Sequence, residues 1–154
     1  MHEAQVVIRD MRHEDLAMVS DIERRSYEFP WSHGVFRDCL LAGYQCLVLE
    51  REGEVAGYAI LSVAAGEAHI LNLCVASACR AHGYGERLLD EILFRARTAS
   101  VREIFLEVRP SNKNAIALYK KKGFFQVANR PAYYRSSEGR EDACVLTKKL
   151  TVDS

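Results

Sequence analysis

Residues 68–75 constrain the fold more than any other segment of the sequence. Most of their side chains are apolar and occupy alternating positions on both sides of an extended chain, and polar Asn72 interrupts one side. Such a run predicts a central strand covered on both faces. A glycine-containing loop follows, and residues 88–96 then repeat apolar side chains at the period of an amphipathic helix. The sequence therefore predicts a strand, a loop and a helix in succession.

The flanking segments predict further strands and helices. Strand-type runs at 44–50 and 55–63 enclose a polar turn and predict an antiparallel hairpin. Helices are predicted at 13–27, at 32–43 with Ser32 as N-cap, and at 112–122 before Gly123. Further strands are predicted at 5–9, 104–108, 124–128 and 142–150, the last two joined by a polar loop. This order predicts one α/β domain over residues 1–154, with a mixed sheet covered by helices on both faces.

The charge balance argues against nucleic acid as a direct partner. Twenty-one Lys and Arg residues offset twenty-one Asp and Glu residues, so the chain lacks the basic excess that phosphate backbones attract. The first residues show no cationic region followed by an apolar stretch, and no window approaches the ~20 apolar residues of a membrane span. We expect a cytoplasmic protein without a membrane partner.

The cysteines and histidines do not indicate a metal site. Five residues of each type are present, and they form neither a CxxC pair nor a zinc-ligand spacing. We expect no metal cofactor, and cysteines that are reduced and mostly buried.

The loop at 80–85 has the composition of a phosphate-binding loop. Gly83 and Gly85 allow a ligand to approach the backbone, the following helix offers free N–H groups, and Arg80 adds a positive charge. An ordinary strand-to-helix turn fits the pattern equally well. The P-loop ending GK[ST] is absent, and Leu88 stands where a Rossmann loop needs its third glycine.

The resemblance to a known family rests on several strings in a fixed order. They are Arg80-x-x-Gly83-x-Gly85, Leu106-Glu107-Val108-Arg109, Ala117-Leu118-Tyr119 with Gly123-Phe124, Tyr133-Tyr134, and Gly139-Arg140-Glu141-Asp142-Ala143. Together they resemble the RimI-type branch of the GNAT N-acetyltransferases. The resemblance implies a GNAT fold with a mostly antiparallel sheet of about seven strands. It also implies acetyl transfer from acetyl-CoA to the N-terminal alanine of a small-subunit ribosomal protein.

Glu107 is a carboxylate inside an apolar strand-type run. Ile104, Leu106 and Val108 face one side and Glu107 the other. One interpretation pairs it with Arg109 or another cation as a satisfied polar group. The resemblance implies instead a general base that takes a proton from the attacking amine, directly or through water. For that task we expect burial to raise its pKa toward neutrality.

Tyr119 lies on the helix that follows this strand. By its pattern alone, Tyr119 could be a core aromatic with its hydroxyl at the rim. The resemblance implies a general acid that protonates the departing CoA thiolate. Donation from a phenol to a thiolate is uphill by about 2 kcal/mol at ordinary pKa values.

The resemblance also implies an acetyl-CoA site. Backbone groups at 73–75 would contact the pantetheine arm and the thioester carbonyl, and residues 80–86 with Asn112 would contact the rest of CoA. The implied residues are Leu73, Cys74, Val75, Arg80, Ala81, His82, Gly83, Tyr84, Gly85, Glu86 and Asn112. Without the resemblance, the side chains at 73–75 fit a plain core, and Asn112 fits a helix N-cap.

Two residues depart from the family pattern. Glu86 follows Gly85 where relatives often carry a basic residue, and Arg135 follows Tyr134 where proline is common. Glu86 puts cofactor affinity in question, and Arg135 puts peptide preference in question. Trp31 and Tyr134 are candidate walls of the peptide channel, and Trp31 fits a core or hinge aromatic equally well.

The general chemistry of amines favours an α-amine as nucleophile. An N-terminal amine has a pKa of about 8, and the lysine side chain has one of about 10.4. Forming the neutral amine therefore costs about 3 kcal/mol less at an N-terminus than at a lysine. No order of residues indicates a covalent acetyl-enzyme, and direct transfer in a ternary complex is predicted. Alternatives are a GNAT enzyme acting on lysine or a small amine, and a noncatalytic acyl-CoA-binding module. We expect a monomer or a weak oligomer.

Overall fold

The computed structural model describes residues 5–150. The strands are β1 (Val6–Asp10), β2 (Gln45–Arg51), β3 (Glu54–Ala64), β4 (Glu67–Val75), β5 (Glu103–Val108), β6 (Phe125–Ser136) and β7 (Gly139–Lys149). The helices are α1 (Leu16–Ser26), α2 (His33–Leu41), α3 (Tyr84–Thr98) and α4 (Lys113–Lys121), and short 3-10 turns cover His13–Asp15 and Ser77–Cys79.

The seven strands form one mixed sheet in the order β1-β2-β3-β4-β5-β7-β6. β1 with β2, β2 with β3, β5 with β7 and β6 with β7 are antiparallel, whereas β4 and β5 are parallel. A parallel pair needs a crossover connection, and α3 lies in that connection. The predicted α/β class, with a mostly antiparallel sheet of seven strands, is confirmed.

The described chain divides into two compact units. Unit one contains residues 5–62 and Asn72–Arg95, and unit two contains Val63–Leu71 and residues 96–150. In unit one, apolar side chains from α1, α2, the β2–β3 hairpin and α3 are fully buried, among them Leu16, Phe36, Leu47, Leu49, Tyr58, Leu88, Leu89 and Ile92. Ser32 caps α2 as predicted, because its hydroxyl oxygen accepts the N–H of Val35 at 3.4 Å.

A buried carboxyl group organises the interior of unit one. Glu23 of α1 is 3% exposed, and three donors satisfy it. The Tyr58 hydroxyl and the Asn72 amide donate to Oε1 at 2.7 Å and 2.9 Å, and the Trp31 backbone N–H donates to Oε2 at 2.9 Å. Burial raises the pKa of Tyr58, so its hydroxyl keeps the donated proton. Through Trp31 and Asn72, this network joins the chain before α2 and the middle of β4 to α1.

Replacing Tyr58 by phenylalanine is expected to lower the free energy of unfolding by about 1–3 kcal/mol, because a buried carboxyl group loses a donor. Urea unfolding followed by circular dichroism measures this change. Tyr44→Phe is the control, since Tyr44 is 39% exposed, and we expect it to change stability by less than about 0.5 kcal/mol. Equal stability of Tyr58→Phe and the wild type would show that this hydrogen bond contributes nothing.

Unit two contains β5 and the strands that pair with it on either side. Ile104, Leu106 and Val108 are buried, and the intervening side chains are half-buried, as the period-2 pattern predicts. Gly123 follows α4 with φ of +96°, the left-handed conformation predicted there. Thr147 of β7 is buried, and its hydroxyl donates to Glu103 at 2.9 Å.

The prediction of a short strand at 124–128 followed by a polar loop was wrong. β6 continues to Ser136 and pairs with β7 almost to the turn before Gly139. Pro131 and the left-handed Ala132 (φ +53°) fall within a register shift between Arg130 and Tyr134. β6 ends the sheet order and is exposed along nearly all its length, so its sequence lacks the apolar alternation of a half-buried strand.

The cysteines are free thiols, as predicted. Burial raises the pKa of Cys46 to about 12, so this thiol stays protonated at neutral pH. No helix among residues 5–150 has both the length and the apolar composition needed to cross a membrane.

Candidate active site

The predicted phosphate-binding loop lies in unit one, between β4 and α3. Ala81 and Gly83 have φ of +68° and +77°, and a left-handed alanine costs about 1 kcal/mol, so the surrounding structure must hold this loop. A side-chain carbon added to Gly83 would meet no atom within 4 Å, which leaves open space against the backbone. α3 begins at Tyr84, so Tyr84 and Gly85 belong to the first helical turn rather than to the loop.

The charged and aromatic side chains of the loop have local partners. The Arg80 Nε donates to the Val75 carbonyl at 3.2 Å and ties the loop to the end of β4. The His82 ring stacks on Tyr84 with centroids 5.4 Å apart. Glu86 is half-buried in the first turn of α3, where a negative charge is favoured by the helix dipole. The helix dipole therefore accounts for an acidic residue at this position.

The end of β4 presents two different sides. Cys74 is 5% exposed, whereas Leu73 and Val75 are half-buried. β4 is a central strand, as predicted, and its two faces differ in burial, which an apolar alternation does not reveal. A side-chain carbon added to Gly57 would lie 3.0 Å from the Cys74 carbonyl oxygen, so β3 approaches the β4 backbone closely here.

Glu107 lies in unit two with two cationic or basic neighbours. Its side chain is 8% exposed, its Oε2 is hydrogen-bonded to Nε2 of His69, and its Oε1 lies 3.7 Å from a guanidinium nitrogen of Arg130. The His69 hydrogen bond lowers the pKa of Glu107 below its ordinary value of 4.5, against the opposing effect of burial. The expectation of a pKa raised toward neutrality was wrong, because these partners outweigh desolvation.

Arg109 is not the partner of Glu107. Its guanidinium donates to Glu141 at 3.1 Å and lies over the Tyr134 ring, 4.4 Å from the centroid. Ser111 also donates to Glu141 at 3.1 Å. Arg109 therefore ties the end of β5 to β7 and to the aromatic part of β6.

Tyr119 is a buried residue of α4. It is 6% exposed, and its ring packs edge-on against Phe124 with centroids 5.5 Å apart. Burial raises the pKa of its phenol, so the group holds its proton at neutral pH. Burial also raises the pKa of Tyr134, with smaller electrostatic contributions from Glu107 and Tyr119 among others. Unit two thus brings Glu107, Tyr119 and Tyr134 within electrostatic range.

The remaining predicted residues lie at element starts. Asn112 is the N-cap of α4, where its side-chain oxygen accepts the Ala115 N–H at 3.3 Å. Trp31 precedes α2 in unit one, half-buried, with its ring 5.3 Å from that of Phe36. A capping role is therefore observed for Asn112, and an aromatic packing role for Trp31.

Sequence reasoning missed His69 and Arg130. His69 lies opposite Phe105 in the parallel β4–β5 register, which places it on the same side of the sheet as Glu107. The available signal was a polar side chain within the apolar run at 68–75. The sequence alone does not reveal which strand pairs with β4, so it could not join His69 to Glu107. Within residues 5–150, no group of three or more His, Cys, Asp or Glu side chains could hold a metal ion.

Comparison with known proteins gives consistent matches. A model described as "Acetyltransferase (GNAT) family" matches residues 16–124. The ribosomal protein bS18-alanine N-acetyltransferase of Escherichia coli K12 is 34% identical over 138 residues, which cover 90% of this chain and 93% of that protein. The same-named enzyme of Haemophilus influenzae is 33% identical over 133 residues, covering 86% and 90%. The crystal structure of the ribosomal-protein-S18-alanine N-acetyltransferase from Escherichia coli matches with a TM-score of 0.92 and 32% identity, over 97% of each chain.

Proposed function

The chain belongs to the acetyltransferase (GNAT) family, within the group of ribosomal protein bS18-alanine N-acetyltransferases, and we propose that it transfers acetyl from acetyl-CoA to the N-terminal amine of a protein. The proposed substrate is the N-terminal alanine of a small-subunit ribosomal protein, in agreement with the names of its relatives. One observation carries the proposal: unit two contains an ionised, nearly buried Glu107 together with a buried, protonated Tyr119.

Glu107 is the proposed general base. Its carboxylate is ionised at neutral pH because His69 and Arg130 stabilise the charge, so it can accept a proton without first losing one. The α-amine of a peptide has a pKa of about 8, and its neutral form is accessible near neutral pH. Removal of the amine proton, directly or through water, leaves the nitrogen lone pair free to attack the acetyl carbonyl.

Tyr119 is the proposed general acid. Its phenol holds a proton at neutral pH and would give that proton to the departing thiolate of CoA. The neutral thiol then leaves without building up a negative charge in a poorly solvated place. Base and acid together support direct transfer in a ternary complex.

Residues 73–75 and 80–86 of unit one are the proposed acetyl-CoA contacts, with Asn112 of unit two. The loop fits a phosphate-bearing ligand because Gly83 faces open space and α3 starts at Tyr84, where first-turn N–H groups lack partners within the helix. Acetyl-CoA supplies the activated thioester. The half-buried side of β4 at Leu73 and Val75 suits the thin, partly apolar pantetheine arm. Trp31 and Tyr134 are proposed to contact the peptide.

The ribosomal substrate places the proposed reaction in the cytoplasm, where ribosomal proteins are made. We propose a single domain that acts as a monomer or a weak oligomer, with no metal and no direct nucleic acid partner. The balanced charge of the chain supports the last point.

Three peptides test the proposal when each is incubated with the protein and acetyl-CoA. One carries a free N-terminal alanine, the second a blocked N-terminus and a lysine, and the third neither amine. We expect free thiol to be released only with the first peptide. Transfer to the lysine peptide would identify a different acceptor class, and tight CoA binding without turnover on any peptide would identify a noncatalytic module.

A further inference from the structure

The segment between α1 and α2 contains no helix or strand that would hold it in place. Residues 27–30 are exposed, whereas Trp31 is half-buried. The Trp31 N–H donates to Oε2 of Glu23 at 2.9 Å, and the Trp31 ring lies 5.3 Å from the ring of Phe36, measured between centroids. Trp31 is therefore held at two points, one on its backbone and one on its side chain.

These two points of attachment are joined to each other through Tyr58. The Phe36 ring packs edge-on against the Tyr58 ring with centroids 5.5 Å apart. The Tyr58 hydroxyl in turn donates to Oε1 of Glu23 at 2.7 Å. Glu23, Trp31, Phe36 and Tyr58 thus form a closed cycle of contacts, all within unit one. The backbone and the ring of Trp31 are fixed by the same three buried residues.

The cost of burying Glu23 indicates a role beyond stability. Its residue is 3% exposed, and its three hydrogen-bond donors, the Tyr58 hydroxyl, the Asn72 amide and the Trp31 N–H, are uncharged. Taking a carboxylate out of water is expensive, and a well-packed apolar side chain of similar size is often at least as stabilising. An apolar side chain could not, however, accept the Trp31 N–H and so hold the segment before α2.

We propose that Glu23 is a positioning residue for the substrate peptide: it holds Trp31 in the place where the indole contacts the peptide. The inference rests on the proposed function, in which Trp31 contacts the peptide. A side chain that is already fixed in its binding conformation loses less entropy when the ligand binds. Glu23 therefore lowers the KM for the peptide without contacting it, and it takes no part in the proton transfers.

The two oxygens of Glu23 support different substrates. Oε1 accepts from Asn72 at 2.9 Å, and Asn72 directly precedes residues 73–75, the proposed contacts of the pantetheine arm. Oε2 accepts from the Trp31 N–H. Loss of the Oε2 acceptor alone should therefore weaken the binding of the peptide and leave the binding of acetyl-CoA intact.

Glu23→Gln replaces one carboxylate oxygen by an NH2 group, which cannot accept a hydrogen bond. We expect the remaining oxygen to stay with Tyr58 and Asn72, because it accepts two donors there and one at Trp31. The KM for the free-alanine peptide should then rise about tenfold. The kcat and the affinity for acetyl-CoA should stay within about twofold of the wild type. Glu23→Leu removes both acceptors and should raise the peptide KM at least as far.

Trp31 is the single tryptophan of the chain, so tryptophan fluorescence reports on this position directly. We expect a red-shifted emission maximum and stronger quenching by acrylamide in Glu23→Gln, because the indole becomes more exposed. Ile92→Val is the control, since it alters a buried side chain of α3 in the same unit but outside the cycle. It lowers stability through lost core packing, and it should change neither the peptide KM nor the emission of Trp31.

A double-mutant cycle shows whether Glu23 acts through Trp31. Trp31→Ala should raise the peptide KM, and Glu23→Gln should add no further rise in that background. The inference is overturned by a wild-type peptide KM in both Glu23 variants, by a wild-type peptide KM in Trp31→Ala, or by additive effects of the two substitutions. Absence of turnover by the wild-type protein on every amine would instead overturn the proposed function.

Discussion

Replacing Glu107 by glutamine is expected to lower kcat for acetyl transfer by about 10²–10⁴-fold, the range that a positioned general base contributes. The substitution preserves the shape of the side chain and removes its capacity to accept a proton. Acetyl-CoA affinity should change little, because the proposed cofactor contacts lie mainly in unit one. Steady-state kinetics with the free-alanine peptide and calorimetric titration with CoA measure the two quantities separately.

Glu103→Gln is the matched control for this experiment. Glu103 lies on the same strand, and its carboxylate accepts the Thr147 hydroxyl at 2.9 Å. A glutamine side-chain oxygen can accept the same hydrogen bond, so we expect activity close to that of the wild type. Equal loss in both variants would point to damage of β5, and unchanged kcat in Glu107→Gln would refute the assignment of the base.

The lowered pKa of Glu107 fixes the expected pH dependence. Because its folded-state pKa lies below the ordinary 4.5, the base form is complete at neutral pH and is lost only as pH falls below 4.5. The contacts of ionised Glu107 with His69 and Arg130 stabilise the folded protein above that pH. This stabilisation disappears as pH falls through the lowered pKa of Glu107. A decline of activity between pH 8 and 6 would then come from protonation of the attacking amine.

Tyr119→Phe is expected to lower kcat about 10²-fold, near the lower end of the range for general acid catalysis. The variant keeps the ring that packs against Phe124 and loses only the hydroxyl. Burial raises the pKa of this phenol, so donation to a thiolate is more uphill than the about 2 kcal/mol of an ordinary tyrosine. The proton must therefore move as the carbon–sulfur bond breaks and the thiolate becomes more basic.

The same kinetic assay tests the tyrosine, with thermal unfolding as a check on the fold. Tyr44→Phe removes a hydroxyl from an exposed tyrosine of unit one and should leave kcat unchanged. An acetyl thioester of a thiol more acidic than CoA should reduce the loss of kcat in Tyr119→Phe, because its weakly basic thiolate can leave without a general acid. Full activity of Tyr119→Phe with acetyl-CoA itself would eliminate Tyr119 as the acid.

Local patterns predicted much of this molecule because their physical causes are local. The alternation at 104–108 correctly placed the side chains of Glu107 and Leu106 on different faces of the sheet. Ser32 and Gly123 correctly marked helix ends, through capping and left-handed backbone geometry. Motif order identified the family, and the comparisons confirmed it.

Features that depend on distant residues were not predictable from the sequence. Parallel pairing of β4 with β5 brings His69 to Glu107, and the exposed edge strand β6 brings Arg130 there. These contacts reverse the expected direction of the Glu107 pKa shift, since burial alone would raise it. The length of β6 was underestimated, because an exposed strand is stabilised by backbone pairing that leaves no apolar pattern in the sequence.

The most direct test of the proposed function is a single peptide that carries both a free N-terminal alanine and an internal lysine. Both amines then compete for acetyl-CoA under identical conditions, and fragment-ion mass spectrometry locates the added acetyl group. We predict acetylation of the N-terminal alanine alone, absent in Glu107→Gln over the same time. Acetyl found on the lysine, or on neither amine while CoA still binds, would contradict the proposed function.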